Sequence, residues 1–193
     1  MKLREQIQNY IPYNEQEEKD KTLFLQALRE EKDVFTRKNT ICHFTASAWV
    51  VNKERNKILL CYHNIYKSWT WLGGHADGEE DLLSVVLREV REESSISQVR
   101  PLLEDGIFSL ESLSVDGHIK KGEYVSTHLH LNVTYLLEAD EKERLRIKDD
   151  ENSDLGWFPF DDILSLSTEP WYIKNIYPKL NDKLRHFIQT EKK

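Results

Sequence analysis

The sequence predicts a mixed α/β domain, and three observations support this prediction. Apolar and polar residues alternate as in strands from about residue 43 and again between residues 107 and 139. Between these segments, residues 79–94 carry a helical stripe of leucine and valine. Helical patterns also occupy both ends of the chain. Strands that flank a helix in this way indicate a mixed β-sheet sandwiched between helices, with an added N-terminal helical segment.

The first 35 residues are predicted to be helical. Asn14 followed by Glu17 has the spacing of a capping box, and Pro12 separates two short helices. We expect residues 1–38 to form a helical extension that packs on the domain. Residues 39–193 then form the domain itself, including its C-terminal helices.

A β-hairpin is predicted where the strand-like segments 43–51 and 57–63 are joined by a turn-like, polar sequence. His43, Thr45 and Ser47 share one face of the first strand, because side chains alternate along a strand. The segment 65–78 is expected to be a loop rich in glycine and tryptophan.

Two further strands are predicted over residues 106–115 and 123–139. His128, His130 and Asn132 share the polar face of the second of them. A charged loop is expected over residues 138–155, followed by helices up to the C-terminus.

The composition favours a soluble globular protein in a reducing cytoplasm. Of the 193 residues, 39% are hydrophobic and 32% are charged, and the net charge is −7. The acidic balance argues against a nucleic-acid polymer as partner, since phosphate backbones bind clustered lysine and arginine. The N-terminus is too polar for a secretory signal, and no apolar run is long enough to span a membrane.

Carboxylates cluster on one face of the predicted helix at 79–94. Glu89 and Glu93 are four residues apart and Glu92 borders the same face. Like charges at this spacing destabilise an isolated helix by a few tenths of a kcal/mol, roughly, and a bound cation would turn that cost into a binding site. Oxygen ligands select a hard ion, so Mg²⁺ or Mn²⁺ is expected.

The residues around these carboxylates have predicted supporting roles. Arg88 is expected to orient its glutamate neighbours through charge-assisted hydrogen bonds, and Glu80 lies eight residues before it, two turns along the predicted helix. Gly73 and Gly74 let the backbone approach a ligand closely, so that a carbonyl there is able to complete a metal shell.

This spacing resembles the Nudix box, the sequence motif of the Nudix hydrolase family. The matching residues are Gly74, Glu80, Arg88, Glu89, Val90, Glu92, Glu93 and Ile96. Ser95 stands where the family pattern has glycine. A residue just after a helix often adopts a left-handed conformation, which costs a serine about 1 kcal/mol. We therefore expect a small loss of stability and retained chemistry.

The resemblance implies a metal-dependent hydrolase that cleaves a phosphate anhydride in a nucleoside diphosphate derivative, with water attacking phosphorus. It implies Mg²⁺ or Mn²⁺ held by Glu89, Glu92 and Glu93, with the Gly74 carbonyl as a further ligand, and an orienting role for Arg88. Glu151 is the predicted general base and Asp150 the second candidate.

Four other residues are candidates for substrate contact, each beside a structural interpretation. His128 and His130 either contact substrate or lie half-buried in the sheet, and a zinc site built on the pair lacks an obvious third ligand. His75 follows the glycines of the loop. Trp69 is predicted either to stack a nucleobase or to belong to the core.

Two alternatives to hydrolysis remain open at this stage. A catalytically weak Nudix domain would bind a nucleotide as a sensor, although the presence of all the box glutamates argues against it. An enzyme like isopentenyl diphosphate isomerase would need a reactive cysteine, and Cys42 and Cys61 are the candidates. The expected partner is a small nucleoside diphosphate derivative, with no membrane, and a homodimer is possible.

Overall fold

The computed structural model describes residues 2–104, 106–120, 122–147 and 152–191. Helices at both ends and one in the middle flank strands that form a mixed sheet, so the predicted mixed α/β fold class is confirmed. The chain divides into two units. The first comprises Met1–Ser47, Gly73–Val86 and Leu103–Tyr135, and the second comprises Ala48–Leu72, Leu87–Leu102 and Leu136–Lys193.

The helices and strands of the described residues have the following bounds. The helices are α1 (Leu3–Asn9), α2 (Glu15–Glu30), α3 (Leu82–Ser94), α4 (Ile163–Leu166) and α5 (Tyr177–Glu191). The strands of the first half are β1 (Cys42–Val51), β2 (Lys57–His63), β3 (Ser68–Thr70) and β4 (Leu72–His75). The later strands are β5 (Val99–Pro101), β6 (Ile107–Val115), β7 (His118–Lys120), β8 (Glu123–Val125), β9 (His128–Ala139) and β10 (Asn152–Pro159).

The main sheet runs in the order β10-β2-β1-β9-β5, with β3 on β2, β4 on β1 and β6 on β9. β1 and β2 are antiparallel, with Val51 opposite Ile58, and this confirms the predicted hairpin. β7 and β8 form a separate two-stranded ribbon. Among the described residues, each helix is too short or too polar to cross a membrane.

The helices of the first unit are fixed by a buried carboxylate. Asn14 caps α2 as predicted, since its side chain accepts a hydrogen bond from the Glu17 backbone N–H at 3.0 Å. The Glu17 side chain is buried and accepts hydrogen bonds from the hydroxyls of Tyr10 and Ser109, both at 2.6 Å. Ser109 lies on β6, against which α2 packs. Burying this charge is tolerable because it has several donors.

The polar faces that the sequence predicts on β1 and β9 meet inside the first unit. Thr45 and Ser47 donate from their hydroxyls to the Asn132 side-chain oxygen, at 3.0 and 2.8 Å. The Asn132 amide donates to Glu111 and to Thr134, both at 3.1 Å. These groups are buried but hydrogen-bonded to one another, so the polar row adds little cost to the core.

The second unit is anchored by a fully buried tyrosine at the start of α5. The Tyr177 ring stacks on Trp49 at 5.9 Å and meets the edge of Trp71 at 5.8 Å between ring centroids. Its hydroxyl lies 3.1 Å from Thr70 Oγ1 on β3. Pro178 lies in the first turn of α5, directly after a π-helical turn over Tyr172–Ile176.

Several predicted boundaries are wrong. The segment 65–78 is not a loop throughout, because β3 pairs with β2 and β4 pairs with β1. The charged loop expected at 138–155 is shorter, since β10 begins at Asn152. The strand expected over 123–139 is divided between β8 and β9. Strands of three or four residues are too short for a local pattern and depend on pairing with distant partners.

Candidate functional site

Helix α3 carries two of its acidic residues on the same side as a buried apolar stripe. Leu82, Val85, Val86 and Val90 on this helix are at most 1% exposed. Glu89 lies four residues after Val85 and Glu93 three residues after Val90, so both share the apolar side and are half-buried, while Glu92 is exposed. Burial of the apolar residues stabilises the helix and offsets the repulsion among its charges.

Arg88 restrains the first part of this acidic face. Its Nη2 lies 3.1 Å from Glu89 Oε1, and its Nε lies 3.9 Å from Glu92 Oε1. The guanidinium is 45% exposed, so these pairs contribute less than about 1 kcal/mol to stability. These contacts are compatible with the predicted orienting role of Arg88, which stays a prediction.

Asn152 restrains the last carboxylate, and it is a residue that the sequence analysis missed. Its Nδ2 donates to Glu93 Oε1 at 2.8 Å, and the residue is only 2% exposed. Its own side-chain oxygen, Oδ1, is buried and has no hydrogen-bond partner among the described residues. The only available signal was its position next to the predicted base Glu151.

This donor set fits a hard divalent cation. The carboxylates of Glu89, Glu92 and Glu93 and the unsatisfied Asn152 oxygen are all oxygen ligands, the class that Mg²⁺ and Mn²⁺ prefer. Glu151 and Asp150, the candidates for general base, lie outside the described residues.

The start of α3 differs from the prediction, which changes the place of Glu80. The helix begins at Leu82 instead of residue 79 because Asp81 caps it, accepting from the backbone N–H and the hydroxyl of Ser84 at 3.3 and 2.7 Å. Glu80 is therefore an exposed residue before the helix, not one two turns below Arg88 within it.

Gly73 and Gly74, which were predicted to lie in a loop, both lie in β4. Gly73 has a φ of 156°, and a Cβ there would lie 2.7 Å from the Ser47 Cα and would overlap the Ala46 carbonyl oxygen. This close approach of two backbones excludes any larger residue. Gly74 is half-buried in β4, and its role as a carbonyl ligand stays a prediction.

The structure brings three predicted histidines together with one that the sequence analysis did not select. His75 Nε2 lies 3.2 Å and His128 Nε2 lies 3.3 Å from the same atom, His130 Nε2. The ring of His43 is within 5.2 Å of the other three ring centroids. His43 was missed because the sequence does not show that the polar face of β1 lies beside β9. Substrate contact by these histidines stays a prediction.

Trp69 lies among aromatic side chains, and both cysteines are buried. The Trp69 ring meets Phe158 at 4.7 Å and Tyr62 at 5.7 Å in edge-on contacts, and its stacking on a nucleobase stays a prediction. Cys42 and Cys61 are buried, and burial raises the pKa of both thiols. A thiol with a raised pKa is a poor nucleophile, which argues against the isomerase alternative.

Comparison with known proteins decides the family. The model of the NUDIX domain matches residues 43–180, which is more than half of the chain. The chain belongs to the Nudix family. The predicted family is thus confirmed, and so is the enzyme class, a Nudix hydrolase acting on acid anhydrides.

The individual relatives have low sequence identity to this Nudix hydrolase. An RNA pyrophosphohydrolase of Pelagibacter ubique strain HTCC1062 is 27% identical over 143 residues, 72% of this chain and 89% of the relative. A crystal structure of a C. elegans Ap4A hydrolase in a binary complex has a TM-score of 0.55 at 20% identity, covering 76% of this chain and 98% of that one. A Nudix-family hydrolase from Clostridium perfringens has a TM-score of 0.54 at 20% identity, with coverages of 75% and 97%. These structural similarities support the fold.

Ser95 in the Nudix box adopts the predicted left-handed conformation. Its φ is 61°, and its N–H donates to the Arg91 carbonyl at 2.8 Å, directly after the end of α3. The residue is exposed, so the serine side chain meets no steric obstacle beyond its own backbone strain. The departure from glycine therefore affects the helix end and leaves the carboxylates in place.

Replacing this serine tests the interpretation. Ser95→Gly is expected to raise the free energy of unfolding by about 1 kcal/mol, because glycine adopts a positive φ without a Cβ penalty. Hydrolytic turnover should stay within about twofold. Ser95→Ala is the matched control, since it removes the hydroxyl but keeps the Cβ, and urea unfolding measures both. Equal stabilities of the two variants, or a gain in turnover of orders of magnitude for Ser95→Gly, would contradict this account.

Proposed function

We propose that this enzyme hydrolyses a phosphate anhydride in a nucleoside diphosphate derivative, with water attacking phosphorus and Mg²⁺ or Mn²⁺ bound by Glu89, Glu92 and Glu93. The observation that carries the proposal is the restraint of these carboxylates at both ends of the acidic face. Arg88 contacts Glu89 at 3.1 Å, and Asn152 donates to Glu93 at 2.8 Å. Ligands held by neighbouring groups bind a cation with less loss of side-chain entropy.

The residues of the chain supply positioning for this reaction. Phosphoryl transfer depends mainly on alignment and on stabilisation of charge. When bound, the metal ion stabilises the negative charge on the phosphate oxygens. Arg88 keeps the carboxylate of Glu89 oriented, and Asn152 does the same for Glu93. Glu151 is the proposed acceptor of a proton from the attacking water.

A small anionic molecule is the proposed substrate. The net charge of −7 disfavours a long polynucleotide, whose binding depends on neutralising many phosphates. Because the chain is similar to an RNA pyrophosphohydrolase, 5′-triphosphorylated RNA is the alternative substrate that has to be tested. A panel of nucleotide sugars, dinucleoside polyphosphates, ADP-ribose, modified triphosphates and this RNA, with Mg²⁺, identifies the class through the products of anhydride cleavage, which are two phosphate monoesters, two nucleotides, or a monophosphate with pyrophosphate.

The same panel distinguishes an enzyme from a nucleotide sensor. Cleavage of at least one small substrate into these products supports hydrolysis. Tight binding of one compound, with no cleavage of any of them, would support the sensor instead. Turnover of the RNA alone would overturn the small-molecule proposal while leaving the hydrolase class intact.

We further propose that residues 1–38 are an addition to the Nudix domain, which then occupies residues 39–193. The family match begins at residue 43 and ends at residue 180, which supports a boundary near this point. The packing of α2 on β6 indicates that the addition is docked rather than loosely tethered.

Glu93→Gln tests the metal assignment. The change keeps the shape of the side chain and removes one ligand charge. We expect turnover of the best panel substrate to fall at least about 100-fold, the equivalent of several kcal/mol of lost stabilisation. Glu104→Gln, on an exposed residue outside the Nudix box, is the control and should keep wild-type turnover. Unchanged activity of Glu93→Gln at limiting Mg²⁺ would refute the assignment.

Asn152→Ala tests the restraint of Glu93. Residues that hold a metal ligand contribute about 10-fold to 100-fold to metal affinity. We therefore expect the Mg²⁺ concentration for half-maximal rate to rise by this factor, with much of the rate recovered at saturating Mg²⁺. Asn64→Ala, in an exposed turn, is the control. A folded Asn152→Ala enzyme with wild-type Mg²⁺ dependence would show that the hydrogen bond has no such role.

A further inference from the structure

The histidine cluster of the first unit consists of His43, His75, His128 and His130. In the part of the chain that the structure describes, His43, His128 and His130 are the one set of three possible metal ligands whose ligand atoms all lie within 4.8 Å of one another. His75 Nε2 joins the set through its 3.2 Å approach to His130 Nε2. The Nudix box carboxylates share no residue with this cluster.

Hydrogen bonds at the far side of two rings fix which nitrogen faces the cluster. His43 Nδ1 lies 3.0 Å from the Asn39 carbonyl oxygen, and His128 Nδ1 lies 2.8 Å from that of Ser126. A carbonyl only accepts hydrogen bonds, so both Nδ1 atoms carry the proton. The neutral rings therefore hold a lone pair on Nε2. Metal-binding histidines are oriented by this same kind of outer hydrogen bond.

The cluster contains more ring-nitrogen lone pairs than N–H protons that could form hydrogen bonds with them. His43 Nε2 is buried and has no hydrogen-bond partner. His130 Nε2 approaches two other Nε2 atoms, but one proton makes only one linear hydrogen bond, so at most one of these two contacts is a good one. An unsatisfied buried acceptor costs about 1–3 kcal/mol, and a bound cation would remove that cost.

The surroundings of these rings disfavour their protonated form. Burial lowers the pKa of His130 to about 2, with help from the neighbouring His75. Burial lowers the pKa of His75 to about 3, with help from the positive charge of Arg37. Burial also lowers the pKa of His43. The neutral imidazole that results is the form that binds a transition metal.

Two of the distances between ring nitrogens are close to those of tetrahedral coordination. Two nitrogens bonded at about 2.0–2.1 Å to one tetrahedral zinc ion lie about 3.3–3.4 Å apart. The approaches of His75 and His128 to His130, at 3.2 and 3.3 Å, are close to this value. The positive charge of Arg37, which acts on the cluster, is paired with Asp77, which accepts two hydrogen bonds from it at 2.9 and 2.8 Å.

We propose that His43, His128 and His130, with His75 as the fourth ligand, bind one transition metal ion of the Zn²⁺ class through their imidazole nitrogens. Imidazole ligands favour zinc, copper, iron and nickel, whereas carboxylates favour magnesium and manganese. The chain thus carries two metal sites of different ligand chemistry.

Cobalt binding tests the proposal, because tetrahedral Co²⁺ absorbs visible light strongly and substitutes for zinc. The untagged full chain is titrated with Co²⁺ in excess Mg²⁺, which occupies the carboxylates, and Zn²⁺ is then added. We expect one Co²⁺ per chain with strong visible absorption, displaced by one equivalent of Zn²⁺. His130→Ala should weaken binding at least 100-fold, and His75→Ala should weaken it less.

The controls are His118→Ala and His186→Ala, which lie outside the cluster and should bind as the wild type does. His128→Asn, at a half-buried position on the edge of the cluster, serves as a second variant if His130→Ala fails to fold. Absence of the absorption in the wild type would overturn the proposal. Wild-type affinity in the folded His130→Ala or His128→Asn chain would overturn it equally.

Discussion

Repulsion among the carboxylates of Glu89, Glu92 and Glu93 is the constraint on which the site depends. Each like-charged pair costs the helix a few tenths of a kcal/mol, roughly, whereas burying one valine or leucine contributes about 1.5–3 kcal/mol. The buried stripe of α3 therefore outweighs the repulsion and keeps the acidic face helical. Arg88 and Asn152 then decide how the carboxylates are oriented.

Some buried polar groups of this protein are fully hydrogen-bonded, and others are not. Asn132 is fully engaged, since it accepts from two hydroxyls and donates to Glu111 and Thr134. Such a network specifies the packing of β1 and β9 and leaves no atom for a ligand. By contrast, His43 Nε2 and Asn152 Oδ1 are buried without a hydrogen-bond partner among the described residues. His43 belongs to the histidine cluster, and the other side-chain atom of Asn152 donates to Glu93. A bound cation beside either atom would remove the cost of its burial.

Local patterns predicted the long elements and the box, but not the contacts made between distant segments. The β1–β2 hairpin, the Asn14 cap and the left-handed Ser95 all follow from residues close in sequence. His43 and Asn152 were missed because each acquires its meaning only through a partner far along the chain. The start of α3 was misplaced because Asp81 resembles its acidic neighbours until its capping bonds are seen.

Paramagnetic broadening by Mn²⁺ tests the central claim most directly, because it locates the hard cation on the folded chain without relying on turnover. In an amide NMR spectrum of the labelled protein, substoichiometric Mn²⁺ should first broaden the signals of Glu89, Glu92, Glu93 and Asn152, and excess Mg²⁺ should restore them. Signals from these residues that stay sharp while others broaden would contradict the assignment of α3 as the metal-binding helix.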